Sequence, residues 1–221
     1  MPTLDRQVID RPGLDTPVIG RSTLQRLIDG VATRIIAESV MLTELDRAIG
    51  DGDHGINMRR GMEAVLADIG STLDQPFGLA MQMIGRQIVA SVGGASGPLF
   101  ATWFLTLGRA WPPESDGLPI EPFEAALQAV KARGRSDVGQ KTLIDVLAPL
   151  TDAIRAGVGV RELDAVARRA AEATRPMRAE RGRAAFLGDR SIGHVDPGAQ
   201  TVALMIETVA GILGVAEESV A

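Results

Sequence analysis

The chain has 221 residues, 45% apolar and 23% charged, which suits one globular domain with a sizeable core and excludes a disordered tail. With no cysteine, disulfide scaffolds, thiolate zinc sites, iron–sulfur clusters and cysteine nucleophiles are ruled out. A net charge of −5, a pI near 5.1 and only 3% aromatic residues argue against bulk nucleic-acid or membrane-surface binding.

Residues 1–20 hold three prolines and two glycines among alternating charges, without the apolar run of a signal peptide. They read as a flexible extension ahead of a single domain over 21–221. No stretch approaches the ~18 consecutive apolar residues of a membrane span, so a cytoplasmic address is expected. From there, apolar residues recur at helical spacing eight times. The stripes run through Leu24, Leu27, Ile28, Val31 and Ile35; then Met58, Met62, Val65, Leu66 and Ile69; then Phe77, Met81, Ile84 and Ile88. Leu99, Trp103, Phe104 and Leu107 form the fourth, and Phe123, Leu127 and Val130 the fifth. Leu143, Val146, Leu147, Leu150 and Ile154 form the sixth, and Leu163, Val166, Ala170 and Thr174 an alanine-rich seventh. Val202, Met205, Ile206, Val209 and Leu213 form the eighth. No segment alternates as a strand does, so the chain is expected to be all-α, with helices of roughly 11–20 residues as antiparallel neighbours. Trp103 and the methionines belong to the core.

Twenty-five glycines are more than helix caps require. They cluster with charged residues in Ile49–Asn57, Ser91–Pro98, Arg133–Thr142 and Arg181–Ala199, after the first, third, fifth and seventh helices. In an up-and-down bundle alternate connections share an end, so all four loops are expected to converge. Asp46, Asp51 and Asp53 place three carboxylates within one turn and its flank. Capping of the second helix accounts for one aspartate, not three, and an oxygen-only set suits a hard cation such as Mg²⁺. The spacing is not that of an EF-hand, because Ile56 and Met62 stand where glycine and glutamate are needed. Ser91–Pro98 leads straight into a helix, leaving N–H groups for an anion. Gly134–Thr142 nearly imitates a P-loop, but Gln140 interrupts it and a helix precedes it. Both histidines, His54 and His194, lie in these loops and lean toward phosphate or hydroxyl contact. Of Arg181, Arg183 and Arg190, one is expected to meet a phosphate. Together these residues describe a helical protein binding a Mg²⁺–phosphate ligand, in all expectation a nucleotide, at one end.

Four ordered motifs, LDRAIGDGDHGINM, SVGGASGPLF, DVGQKTLIDVLAP and GRAAFLGDRSIGHVDPGA, resemble the nucleotide-binding subunit L of dihydroxyacetone kinase. The resemblance runs from about Leu24 to the C-terminus. It implies a closed barrel of eight antiparallel helices with the nucleotide at one end. By similarity, Asp46, Asp51 and Asp53 coordinate two Mg²⁺ ions. His54, Gly55, Ile56 and Asn57 continue the contact, Ala95 and Ser96 hold phosphate oxygens, and Gly134, Leu143, Arg183, Asp196, Pro197 and Gly198 complete the pocket. No catalytic residue is assigned in this chain. A separate subunit is expected to hold the ketone, so the chain is half of a phosphotransferase. Its cofactor is either resident ADP, recharged by a phosphohistidine protein of the sugar phosphotransferase system, or exchangeable ATP. Stand-alone length favours the first. The acceptor is dihydroxyacetone or another small ketose or polyol, and the resemblance also admits a homodimer. A regulatory nucleotide-sensing module is the alternative, since it would share every pocket residue.

Overall fold

Eight amphipathic stripes can bury their apolar faces together only by closing on one another, and the helices do so. A computed structural model describes residues 19–113 and 118–218, with side chains as far as Gly214. Residues 1–18, most of the expected extension, lie outside it. The helices are α1 (Arg21–Ala37), α2 (Ser39–Ile49), α3 (His54–Ala67), α4 (Ile69–Leu73), α5 (Phe77–Ser91), α6 (Ser96–Ala110), α7 (Glu121–Gly134), α8 (Ile144–Arg155), α9 (Val160–Ala173) and α10 (Pro197–Glu218). No strand occurs among the described residues.

Two of the eight expected helices are interrupted. α1 and α2 are one stave broken at Glu38, and α3 is followed after Asp68 by the single turn of α4. Counted as staves, the described helices number eight. Each packs on its neighbour in sequence, α3 on α1, α5 on α3, and so on to α10 on α9. α10 then packs back on α1 and closes the barrel.

Local chemistry sets the helix ends. α7 opens with Pro122, Glu121 and Glu124 in its first turn and closes with Lys131 and Arg133, each sign matching the helix dipole. At α9 the Glu162 carboxylate accepts the Gly159 N–H at 3.2 Å. The lumen is apolar: Ile35, Met58, Ile88, Phe100, Val130, Leu150 and Ala199 are all buried. Trp103, Met62 and Met81 are core as expected, and they also border an internal apolar cavity of about 210 Å³. No described helix is long and apolar enough to cross a membrane.

Candidate functional site

The four glycine-rich connections do meet at one end. Arg183 from the last joins Asp51 from the first, and Lys141 from the third donates to carbonyls of the last. His54 at the start of α3 touches Ser96 at the start of α6. This end is the crown of the barrel.

Asp46 lies in the last turn of α2. Its Oδ2 accepts the N–H of Asp53 at 2.9 Å and of His54 at 3.1 Å, so it caps α3 from outside that helix. Asp53 occupies the N-cap position yet makes no side-chain cap bond. Capping therefore falls to Asp46, not to the two loop aspartates. Gly50 makes room for this arrangement, because a Cβ there would collide with Asp46 Oδ1. One carboxylate oxygen from each of Asp46, Asp51 and Asp53 lies within 4.8 Å of the others. Arg183 pairs with Asp51 at 2.5 Å. Three carboxylates against one guanidinium leave the cluster short of positive charge, and hard oxygen donors at this spacing fit a divalent cation such as Mg²⁺.

His54 is buried beside the cluster. Its Nδ1 is 2.9 Å from Ser96 Oγ and its Nε2 is 2.8 Å from Thr201 Oγ1. The Thr201 hydroxyl donates to the Pro197 carbonyl at 2.9 Å, which leaves its oxygen to accept from Nε2–H. Nδ1 of the neutral ring then accepts from Ser96. Burial pulls the His54 pKa below the usual histidine range, against the pull of Asp46 and Asp53, in keeping with that neutral form. One ring thus ties together the starts of α3, α6 and α10. Gly55 is required by packing, since a Cβ there would strike the Ser39 carbonyl of α2. Ile56 is exposed, and Asn57 is buried with its Oδ1 accepting from Arg60 at 2.8 Å. Arg60 in turn donates to the Ser91 carbonyl at 2.7 Å, holding the turn that leads to Ala95 and Ser96. Ala95 is the N-cap of α6 and provides no side-chain cap, so that helix start keeps N–H groups free for an anion.

Across the crown, Gly134 ends α7 and Leu143 is the buried N-cap of α8. Asp196 caps α10, its Oδ2 accepting the Ala199 N–H at 2.7 Å, while its own N–H donates to Thr174 Oγ1 at 2.9 Å. Burial pushes the Asp196 carboxyl up to about 7; Asp145 adds to the rise, and the Ala199 and Gly198 N–H groups and Lys141 oppose it. Pro197 and Gly198 follow as the first turn of α10. Residues 174–196 are not plain loop, since Arg183–Ser191 winds into 3-10 turns broken at Gly188.

The expected residues separate into groups. Of the three arginines, Arg183 alone is paired with a triad carboxylate; Arg181 Nε donates to Gln140 instead, at 2.9 Å. Of the two histidines, His54 is buried at the helix junction, whereas His194 is partly exposed and lends its carbonyl to Lys141. Three residues escaped the sequence reading: Thr201, Asp145 and Lys141. Asp145 accepts the N–H of Gly139 at 2.5 Å and of Thr142 at 2.7 Å, folding the third loop on itself. Burial lowers the Lys141 pKa, with Asp196 and Asp145 opposing. The one signal available was that Lys141 is one of only two lysines.

Fold and crown together define an antiparallel helical barrel with a cation-competent carboxylate cluster at its polar end. Comparison with known proteins narrows that class: residues 48–211 match the DAK2 domain, and the chain belongs to that family. It is 38% identical over 185 residues to the ADP-binding subunit DhaL of the PEP-dependent dihydroxyacetone kinase of Escherichia coli K12, covering 78% of this chain and 88% of that one. It is 39% identical over 190 residues to the ADP-binding subunit DhaL of PEP-dependent dihydroxyacetone kinase 1 of Listeria innocua, covering 83% and 92%. The solved dihydroxyacetone kinase of C. freundii, in complex with AMP-PNP and Mg²⁺, shares the fold with a TM-score of 0.70 at 20% identity. That match takes in 96% of this chain and 37% of the longer one. The family and the eight-helix fold are those the four motifs lead one to expect.

Proposed function

We propose that this chain is the nucleotide-binding subunit of a phosphotransferase, serving a kinase for dihydroxyacetone or a related small ketose held by a separate subunit. The observation that carries the reading is the convergence of Asp46, Asp51 and Asp53 beside the free helix start at Ala95–Ser96. Relatives at 38–39% identity bear the name ADP-binding subunit, which supports a nucleotide as the ligand.

In this reading the three aspartates hold two Mg²⁺ ions. The metal supplies neutralisation of phosphate charge and in-line orientation of the transferred group. Ala95 and Ser96 donate to phosphate oxygens, and His54 fixes the Ser96 hydroxyl. Arg183, already next to the cluster, offers its fork to the same charge. Gly134, Leu143, Asp196, Pro197 and Gly198 flank the nucleoside side. Catalysis is positioning and charge stabilisation, and the acceptor hydroxyl arrives on the partner.

The crown has the surface for such a partner. Phe186 is 91% exposed, and Ile56, Val138 and Ile192 at 60%, 52% and 44% stand on the same loops and helix start. Apolar side chains around a polar site are what a docked subunit would cover to exclude water. The phosphoryl donor is either ATP or, with ADP resident, a phosphohistidine protein. This reading carries a cytoplasmic address, and a homodimer is compatible with it.

The nucleotide content of freshly purified protein, desalted with Mg²⁺ present, tests the reading. Stoichiometric ADP points to a resident cofactor and a phosphohistidine donor, whereas an empty pocket points to exchangeable ATP. In the second case Mg²⁺–ADP at 100 times its Kd should add about 2.7 kcal/mol of stability. No rise in melting temperature in an empty protein would overturn the reading.

A further inference from the structure

The segment that imitates a P-loop, Gly134–Thr142, contains a lysine that no phosphate could reach. Lys141 is 1% exposed. Its Nζ donates to the carbonyls of Thr174 at 2.8 Å, Met177 at 3.2 Å and His194, with Arg175 farther off at 3.5 Å. Thr174 and Arg175 directly follow α9, so the ammonium sits where a helix leaves orphan carbonyls and partial negative charge. The Lys141 backbone is left-handed, with φ +59°, a conformation that persists in a non-glycine residue only when its surroundings enforce it.

We propose that Lys141 is a positioning residue, its buried ammonium locking the 135–143 loop onto both arms of the 174–196 segment so that the two walls of the nucleotide pocket keep their spacing. The inference rests on the nucleotide-binding reading above and adds a residue to it. Leu143 follows two residues after Lys141, and Asp196 two residues after the His194 carbonyl. One ion therefore sets both faces that meet at Gly198, where a Cβ would stand 3.0 Å from Asp196 Oδ2 and 3.6 Å from Leu143 Cβ. The Asp46–Asp51–Asp53 cluster takes its frame from α2 and the Asp46 cap on α3, and it meets the 174–196 segment at the Arg183–Asp51 pair, where a bound cation would take over the charge of Asp51. Removing the ammonium strands several buried carbonyls on one side of the crown and leaves the α2–α3 frame that carries the three carboxylates in place.

The test separates those two sides. In Lys141→Met, at a temperature where circular dichroism reports full helix content, Mg²⁺–ADP affinity is expected to fall about tenfold or more, the scale of leaving a buried acceptor unpaired. Binding of Mn²⁺ alone, read by electron paramagnetic resonance, should stay within about twofold of wild type. The absence of cysteine allows a rescue: Lys141→Cys, alkylated with 2-bromoethylamine while unfolded and then refolded, restores an ammonium of nearly lysine length and should restore ADP affinity. Lys141→Arg keeps the charge but overfills the enclosure, and serves if the methionine variant does not fold. Equal ADP affinity in folded variant and wild type would overturn the inference, as would a parallel loss of ADP and Mn²⁺ binding. Hydrogen exchange keeps the question separate from the nucleotide reading. Without any ligand, faster exchange in the variant confined to 135–143 and 174–196 supports the lock, and unchanged exchange there refutes it, whether or not wild type binds ADP.

Discussion

The barrel wall and the crown are made by opposite means. In the wall every stave repeats the same device, an apolar stripe at 3.6-residue spacing turned to the lumen, and two of the three connections at the far end are brief, 74–76 and 156–159. In the crown nothing repeats. Beside local bonds such as Asp46 to Asp53, it depends on bonds between residues far apart in sequence, 147 positions for His54 to Thr201 and 53 for Lys141 to His194. Stability spread over many equivalent apolar contacts tolerates a local loss. A polar assembly in which one ring or one ammonium serves three elements does not, since removing a partner leaves the rest buried and unpaired. The wall should therefore answer for folding and the crown for ligand binding.

The largest effect expected is on the crown side. Asp53→Ala should weaken Mg²⁺–ADP binding by at least about 10²-fold in calorimetry, since loss of an outer-shell partner alone costs 10–100-fold. Its melting temperature without ligand should stay near that of wild type, because Asp53 makes no cap bond. In the wall, Ile35→Ala empties a fully buried site and should cost about 2–5 kcal/mol in urea unfolding, while ADP affinity of the folded fraction stays unchanged. A matching loss of affinity would dissolve the contrast between the two regions. At the crown surface, Phe186→Ser removes an exposed anchor. It should raise the KM for the ketone-binding partner several-fold, with ADP binding and stability intact.

The smallest effect is one of pH. The Asp196 carboxyl is pushed up to about 7 in the folded chain, against an ordinary value of 3.8. Between those values the folded state holds a proton that the unfolded state has released, so this group makes stability fall as pH rises from about 4 to 7. Asp196→Asn keeps a cap acceptor for Ala199 and removes the titration. Its melting temperature should gain on wild type as pH rises through that window, by a few degrees. The His54 contribution has the opposite sense and is common to both proteins, so the difference isolates Asp196. Parallel curves would place the strain elsewhere.

The wall was legible in the sequence because periodicity is a local signal. All eight stripes are staves, although the break at Glu38 and the stop before α4 leave no trace in apolar spacing. Convergence of the loops followed from parity alone. The carboxylate triad was legible because its members lie within eight residues, close enough to be read together. Which aspartate caps α3 was not, since that depends on where α2 ends in space. The 3-10 turns at Arg183–Ser191 cover nine residues, too few for a period to register. Lys141 and Thr201 stayed hidden because their partners are backbone carbonyls and a ring contributed by distant elements, for which sequence carries no mark.

The His54 bridge has a consequence for how the molecule comes into being. Thr201 and the Asp196–Gly198 turn belong to the last of the eight staves to be synthesised, while His54 emerges early and must wait for them. A nascent chain can stack its first seven staves through short-range contacts, yet it has neither a closed seam nor a finished crown until α10 arrives. Ligand competence thus waits for the closing stave, and a chain halted before Pro197 would be helical, open along one side and functionally silent.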